Sequence, residues 1–166
     1  NHSGYSSSRY FVIDTTAPTN PSLLINGGST YTATTGVTLS LSAVGASEMR
    51  FKNGSNGSWS GYEAYATTKS WTLENTQGMR TVYVQFRDEA GNATSGATLD
   101  MIFFDSVAPT GASISINGGS AYTTSTSVTL TLSASGASQM RFKNESNGGW
   151  SGYESYATSK SWSLSN

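Results

Sequence analysis

Thr81-Val82-Tyr83-Val84-Gln85-Phe86-Arg87 is the stretch on which the fold turns. Val82, Val84 and Phe86 occupy every second position, with Thr81, Tyr83, Gln85 and Arg87 between them. A period of two sends alternate side chains to opposite faces of an extended backbone, so the stretch predicts a β-strand buried on one side. Val37-Thr38-Leu39-Ser40-Leu41-Ser42-Ala43 has the same alternation, with hydroxyls on its outer face. Shorter strands are expected at 22–26, 48–53, 69–73 and 98–105. Turn formers bound these runs at Asn26-Gly27-Gly28, Gly45, Asn53-Gly54, 75–78 and Ala90-Gly91-Asn92. No window carries a helical apolar stripe of useful length. The expected core comprises Ile25, Val37, Leu39, Leu41, Met49, Phe51, Trp71, Leu73, Val82, Val84, Phe86 and Ile102.

The chain repeats itself at an offset of 91 residues. Ala17-Pro18-Thr19 returns as Ala108-Pro109-Thr110, and Met49-Arg50-Phe51-Lys52-Asn53 returns as Met140-Arg141-Phe142-Lys143-Asn144. Between 15–75 and 106–166, 42 of 61 paired positions are identical without a gap. The expected organisation is residues 1–14 as the last strand of a preceding repeat, 15–105 as a complete repeat and 106–166 as an incomplete one. On this reading the chain is a window from a longer array, continuing beyond both ends.

Composition narrows the function. Net charge is −1 and only 11% of the 166 residues are charged, without the basic excess of a nucleic-acid binder. The longest apolar run in 98–105, Met101-Ile102-Phe103-Phe104, is far too short to insert in a membrane as a helix. Four Trp, nine Tyr and six Phe argue against a disordered chain. Cysteine is absent, which removes disulfides, thiolate metal sites and cysteine nucleophiles.

Six or seven short strands in 91 residues suit an all-β fold of tandem antiparallel immunoglobulin-like sandwiches. The complete repeat resembles the bacterial immunoglobulin-like (fibronectin-III-like) repeats of large secreted and cell-surface proteins. The residues that carry the resemblance are Asp14-Thr15-Thr16-Ala17-Pro18, Trp71-Thr72-Leu73, Gly78 leading into Val82-Tyr83-Val84-Gln85-Phe86-Arg87-Asp88, and Ala90-Gly91-Asn92. The second join reads Asp105-Ser106-Val107-Ala108-Pro109, a mild departure. The resemblance implies an extracellular or cell-surface location and a role as spacer, stalk, adhesin arm or appendage of a hydrolase.

Few residues suggest chemistry. His2 is the only histidine, so a serine–histidine–acid triad would depend on it alone. Glu63 and Glu154 are equivalent carboxylates, each lacking a second acid placed for glycoside hydrolysis, and no enzymatic activity is expected. Asp88, Asn92 and Asp105 are candidate Ca²⁺ ligands at a repeat junction, against the alternative that Asp88 and Asn92 only close a turn. Trp59, Tyr62 and Tyr65, with Trp150, Tyr153 and Tyr156, form an aromatic segment that either stacks on polysaccharide or folds over the sheet edge. Asn-x-Ser/Thr sequons stand at Asn1, Asn53, Asn56, Asn92 and Asn144. The leading expectation is a structural segment of a long extracellular filament, stalk or adhesin arm, partnered by neighbouring repeats and possible like copies in a fibre. The alternative is a polysaccharide-binding accessory module built on Trp59, Tyr62 and Tyr65.

Overall fold

The computed structural model describes residues 11–165, and the chain divides into two compact units, 1–106 and 107–166. The first unit contains β1 (Thr19–Ile25), β2 (Tyr31–Thr32), β3 (Gly36–Val44), β4 (Glu48–Asn53), β5 (Glu63–Ala64), β6 (Thr68–Thr72), β7 (Gly78–Arg87) and β8 (Thr98–Phe104). They form one sheet in the order β1-β3-β6 and another in the order β2-β8-β7-β4-β5. The alternation in the sequence becomes the burial pattern. Val82, Val84 and Phe86 are completely buried, and Tyr83, Gln85 and Arg87 point to the partly exposed face. Across the core, β3 contributes Val37, Leu39, Leu41 and Ala43. Met49 and Phe51 of β4, Ile102 of β8, Leu23 and Ile25 of β1, and Leu73 complete the same cluster.

Hydrophobic burial holds the two sheets together, each fully covered Val, Leu, Ile or Phe contributing about 1.5–3 kcal/mol. One polar link joins them as well: the Asp100 carboxylate on β8 accepts a 2.7 Å hydrogen bond from the Ile25 amide on β1. Asn26 ends β1 in a left-handed turn with Gly27 and Gly28, and its side-chain oxygen accepts from the Thr38 amide at 2.9 Å.

Two expectations are corrected. The sheets are not wholly antiparallel, because the short β2 runs parallel to β8, pairing Tyr31 with Phe103 and Thr32 with Phe104. The chain leaves the first sheet after β1 and reaches the edge of the second in the direction of β8. Trp71 is half-buried rather than fully enclosed. Its ring packs on Phe51 with centroids 5.3 Å apart, but its indole N–H must reach the Asn53 side-chain oxygen, 2.8 Å away at the sheet edge.

The second unit contains β9 (Thr110–Ile116), β10 (Ser127–Ser135), β11 (Gln139–Met140), β12 (Glu154–Ser155) and β13 (Ser159–Ser163), with a 3-10 turn at Asn117–Gly119. Its sheet has the order β13-β10-β9, and β11 pairs separately with β12. Only Val128, Leu130 and Phe142 form a buried cluster, edged by Leu132, Met140, Trp162 and Leu164. Most of the expected strand 1–14, together with His2 and the Asn1 sequon, lies outside the described residues; 11–14 are described and are not in a strand.

Candidate functional site

The aromatic segment lies over the outer face of the five-stranded sheet. Because Met49 and Phe51 face the core, Glu48, Arg50 and Lys52 on β4 face outward. Register pairs Glu48 with Arg87, Arg50 with Gln85 and Lys52 with Tyr83 on β7. The loop after β4 returns over this row. Gly57 permits the return, since a Cβ there would lie 1.9 Å from the Asn53 carbonyl oxygen; Gly148 makes the same approach to Asn144 at 1.8 Å. Ser60 then fixes the loop to β4, its amide donating to the Phe51 carbonyl at 2.8 Å and its hydroxyl accepting from the Phe51 amide at 2.9 Å.

The result is an alternation of rings and cations. Lys52 Nζ is 5.0 Å from the Tyr83 ring centre and 5.2 Å from that of Trp59. The Arg50 guanidinium is 4.9 Å from Trp59 and 4.7 Å from Tyr62, and that of Arg87 is 3.8 Å from Tyr62. Arg87 then pairs with Glu48, and this hydrogen bond raises the Arg87 pKa above its ordinary value. Arg50 donates two further bonds to the Gln85 side-chain oxygen, at 2.9 and 2.6 Å. Arg suits the central position because its planar fork stacks and donates at once.

The structure separates the predicted aromatic triplet. Trp59 and Tyr62 belong to this ladder, whereas Tyr65 turns to the core, where it meets Phe86 edge-on and its hydroxyl accepts from the Ala43 amide at 3.3 Å. Tyr156 repeats this role with the Ala134 amide at 2.9 Å. In the second unit Arg141 lies 4.7 Å from the Trp150 ring and 4.8 Å from that of Tyr153, and Lys143 lies 5.2 Å from Trp150. The sequence reading overlooked the cations, although Arg50 and Lys52 stand two apart on a strand's outer face, as Arg141 and Lys143 do.

Glu63 and Glu154 are occupied by ion pairs, to Lys69 and Lys160 respectively, each at 2.6 Å. The Asn53 sequon side chain joins Trp71 and the Thr72 carbonyl, and Asn144 does the same with Trp162 and Ser163.

The three proposed Ca²⁺ ligands do not meet. Asp88 follows one end of β7, whereas Asp105 follows Phe104, which pairs with Gly78 at the other end. Nine strand steps of about 3.4 Å separate the two ends of β7, roughly 30 Å. Asp88 and Asn92 do come together, and they close the turn: the buried Asp88 carboxylate accepts from the Asn92 amide and side chain, both at 2.8 Å. Asn92 also donates to the carbonyl of Asp14, the counterpart of Asp105 one repeat earlier, at 3.0 Å. Among the described residues, no three His, Cys, Asp or Glu side chains converge to hold a metal. Nor, among them, is any helix long and apolar enough to cross a membrane.

No protein-family model matches the chain, and no curated protein matches it.

The ladder should contribute measurably to stability. Arg50→Ala removes two cation–π contacts and two hydrogen bonds, and should destabilise the first unit by about 1–3 kcal/mol in urea unfolding. A loss below about 0.5 kcal/mol would show that the stacked cations are incidental.

The turn at Asp88 should make stability sensitive to acid. Hydrogen bonds from Asn92 lower the Asp88 pKa in the folded chain. This stabilisation is therefore present above the ordinary Asp value near 3.8 and is lost as pH falls through the lower folded value. Thermal unfolding of Asp88→Asn should show a shallower loss of melting temperature below about pH 4 than the parent chain. Parallel acid limbs would place the sensitivity elsewhere.

Proposed function

We propose that this chain is a structural segment of a long extracellular filament, stalk or adhesin arm, built from tandem immunoglobulin-like sandwiches. The observation that carries the reading is the repetition of whole bonding networks at an offset of 91 residues. Trp71, Asn53 and Thr72 are linked as Trp162, Asn144 and Ser163 are. Phe51 bonds Ser60 as Phe142 bonds Ser151, and Lys69 pairs with Glu63 as Lys160 pairs with Glu154. Such duplication supports a part used by being used repeatedly, where the number of copies sets a length.

The strand orders support the immunoglobulin-like component. A sheet β1-β3-β6 facing a sheet β2-β8-β7-β4-β5 follows the two-sheet Greek-key scheme of that architecture. The side chains that first suggested a binding site are engaged internally. Two cations lie against each of the Trp59 and Tyr62 rings, and Tyr65 is packed at the core, which favours the structural role over a polysaccharide platform. Near-neutral, hydroxyl-rich outer faces keep such an arm soluble without a strong field.

Electron micrographs of the native protein provide the test. Ten residues of β7 give a unit about 34 Å long before its turns, so a thin rod with an axial repeat of about 4 nm is expected. Compact particles without axial repeat would contradict the stalk.

A further inference from the structure

The second unit has an open apolar face, and the repeat identifies what fits it. Ile114 and Ile116 are 59% and 41% exposed, whereas their counterparts Leu23 and Ile25 are 4% and 0% exposed. In the first unit that face is covered by β7 and β8. In the second it lines a cleft of about 530 Å³, among Ile114, Leu132, Met140, Phe142, Trp150 and Tyr156. The strand edge is open as well: β4 runs from Glu48 to Asn53 against β7, but its counterpart β11 is reduced to Gln139–Met140.

The outer ladder is incomplete in the same place. In the first unit Gln85 accepts from Arg50, and Arg87 stacks on Tyr62. In the second, Arg141 stacks on Trp150 and Tyr153, yet Tyr153 remains 63% exposed. An incoming strand would need inward Val, Val and Phe to fill the cleft, with outward Gln for Arg141 and outward Arg for Tyr153. That is the pattern of Val82, Val84, Phe86, Gln85 and Arg87.

We propose that the open face of the second unit is an acceptor for a two-stranded β-hairpin with the side-chain pattern of β7 and β8. The hairpin adds main-chain pairing along 139–144 and places alternate side chains in the cleft, as in strand addition to a sheet edge. A second copy of the chain is a poor donor. Its own hairpin already covers the first unit, and lending it would only exchange one open core for another. The proposal rests on the equivalence of the two units and is independent of the stalk reading, so failure of either leaves the other standing.

Titration of the isotopically labelled 166-residue chain with a synthetic peptide of residues 76–105 tests this. Saturable one-to-one binding is expected, with amide shifts confined to β10 and 139–144 and none in β3 or β4. Val84→Asp in the peptide should weaken binding roughly 100-fold, because it buries an unpaired charge. Arg87→Ala should weaken it by about 3- to 10-fold through the lost stacking on Tyr153. Should the peptide self-associate, the same segment joined directly after Asn166 supplies it in cis. The same amides should then shift, and a Val84→Asp/Phe86→Asp form of the added segment should leave them unmoved. Unchanged amides with both peptide and joined segment, equal binding by the Asp form, or occupation of the face by a second copy would each overturn the proposal.

Discussion

The first unit depends on one constraint: Val82, Val84 and Phe86 must all lie between two sheets, leaving no surface to water. A slip of one residue in β7 would turn these three outward and drive Tyr83, Gln85 and Arg87 into the core. The same slip would dismantle the outer face, where the pairs Glu48–Arg87, Arg50–Gln85 and Lys52–Tyr83 set the ladder spacing. Core and outer ladder are therefore two readings of a single register. Apolar burial contributes most of the stabilisation, and the ladder disfavours the alternative pairing.

The second unit shows what remains when this constraint is relaxed. Local features persist: the Trp162–Asn144 bond, the Lys160–Glu154 pair and the Ser151 attachment to Phe142 have nearly the same lengths as their counterparts. These are formed within one sheet or loop and need no opposing layer. What is reduced is the shared core, to Val128, Leu130 and Phe142, and the strand equivalent to β4, to two residues. Local bonding specifies the pieces, while the layer of β7 and β8 makes them one core.

Much of this was readable from the residues alone. Long alternating runs announced β3 and β7, and the expected 48–53 strand is β4 to the residue. The two-residue strands β2 and β5 are too short to show a period, and the parallel course of β2 depends on where the chain crosses between sheets. Trp71 counted as core by its size, but its indole N–H holds one edge at the surface. Trp59, Tyr62 and Tyr65 were grouped by proximity in sequence, and the turn into β5 and β6 sends Tyr65 inward. The ladder required knowledge of which residue of β7 lies beside Arg50. Asp88, Asn92 and Asp105 looked like neighbours until strand pairing placed Asp105 at the far end of the hairpin.

Native-state hydrogen exchange of the intact chain tests most directly whether the β7–β8 layer creates the core, by comparing amides at an offset of 91 residues. If it does, the amides of Leu39 and Phe51 exchange only through unfolding of the first unit. Those of Leu130 and Phe142 then exchange through local opening, roughly 100-fold faster or more. Equal protection at Leu39 and Leu130, and at Phe51 and Phe142, would contradict the account, because a single sheet with its local bonds would then suffice to protect the fold.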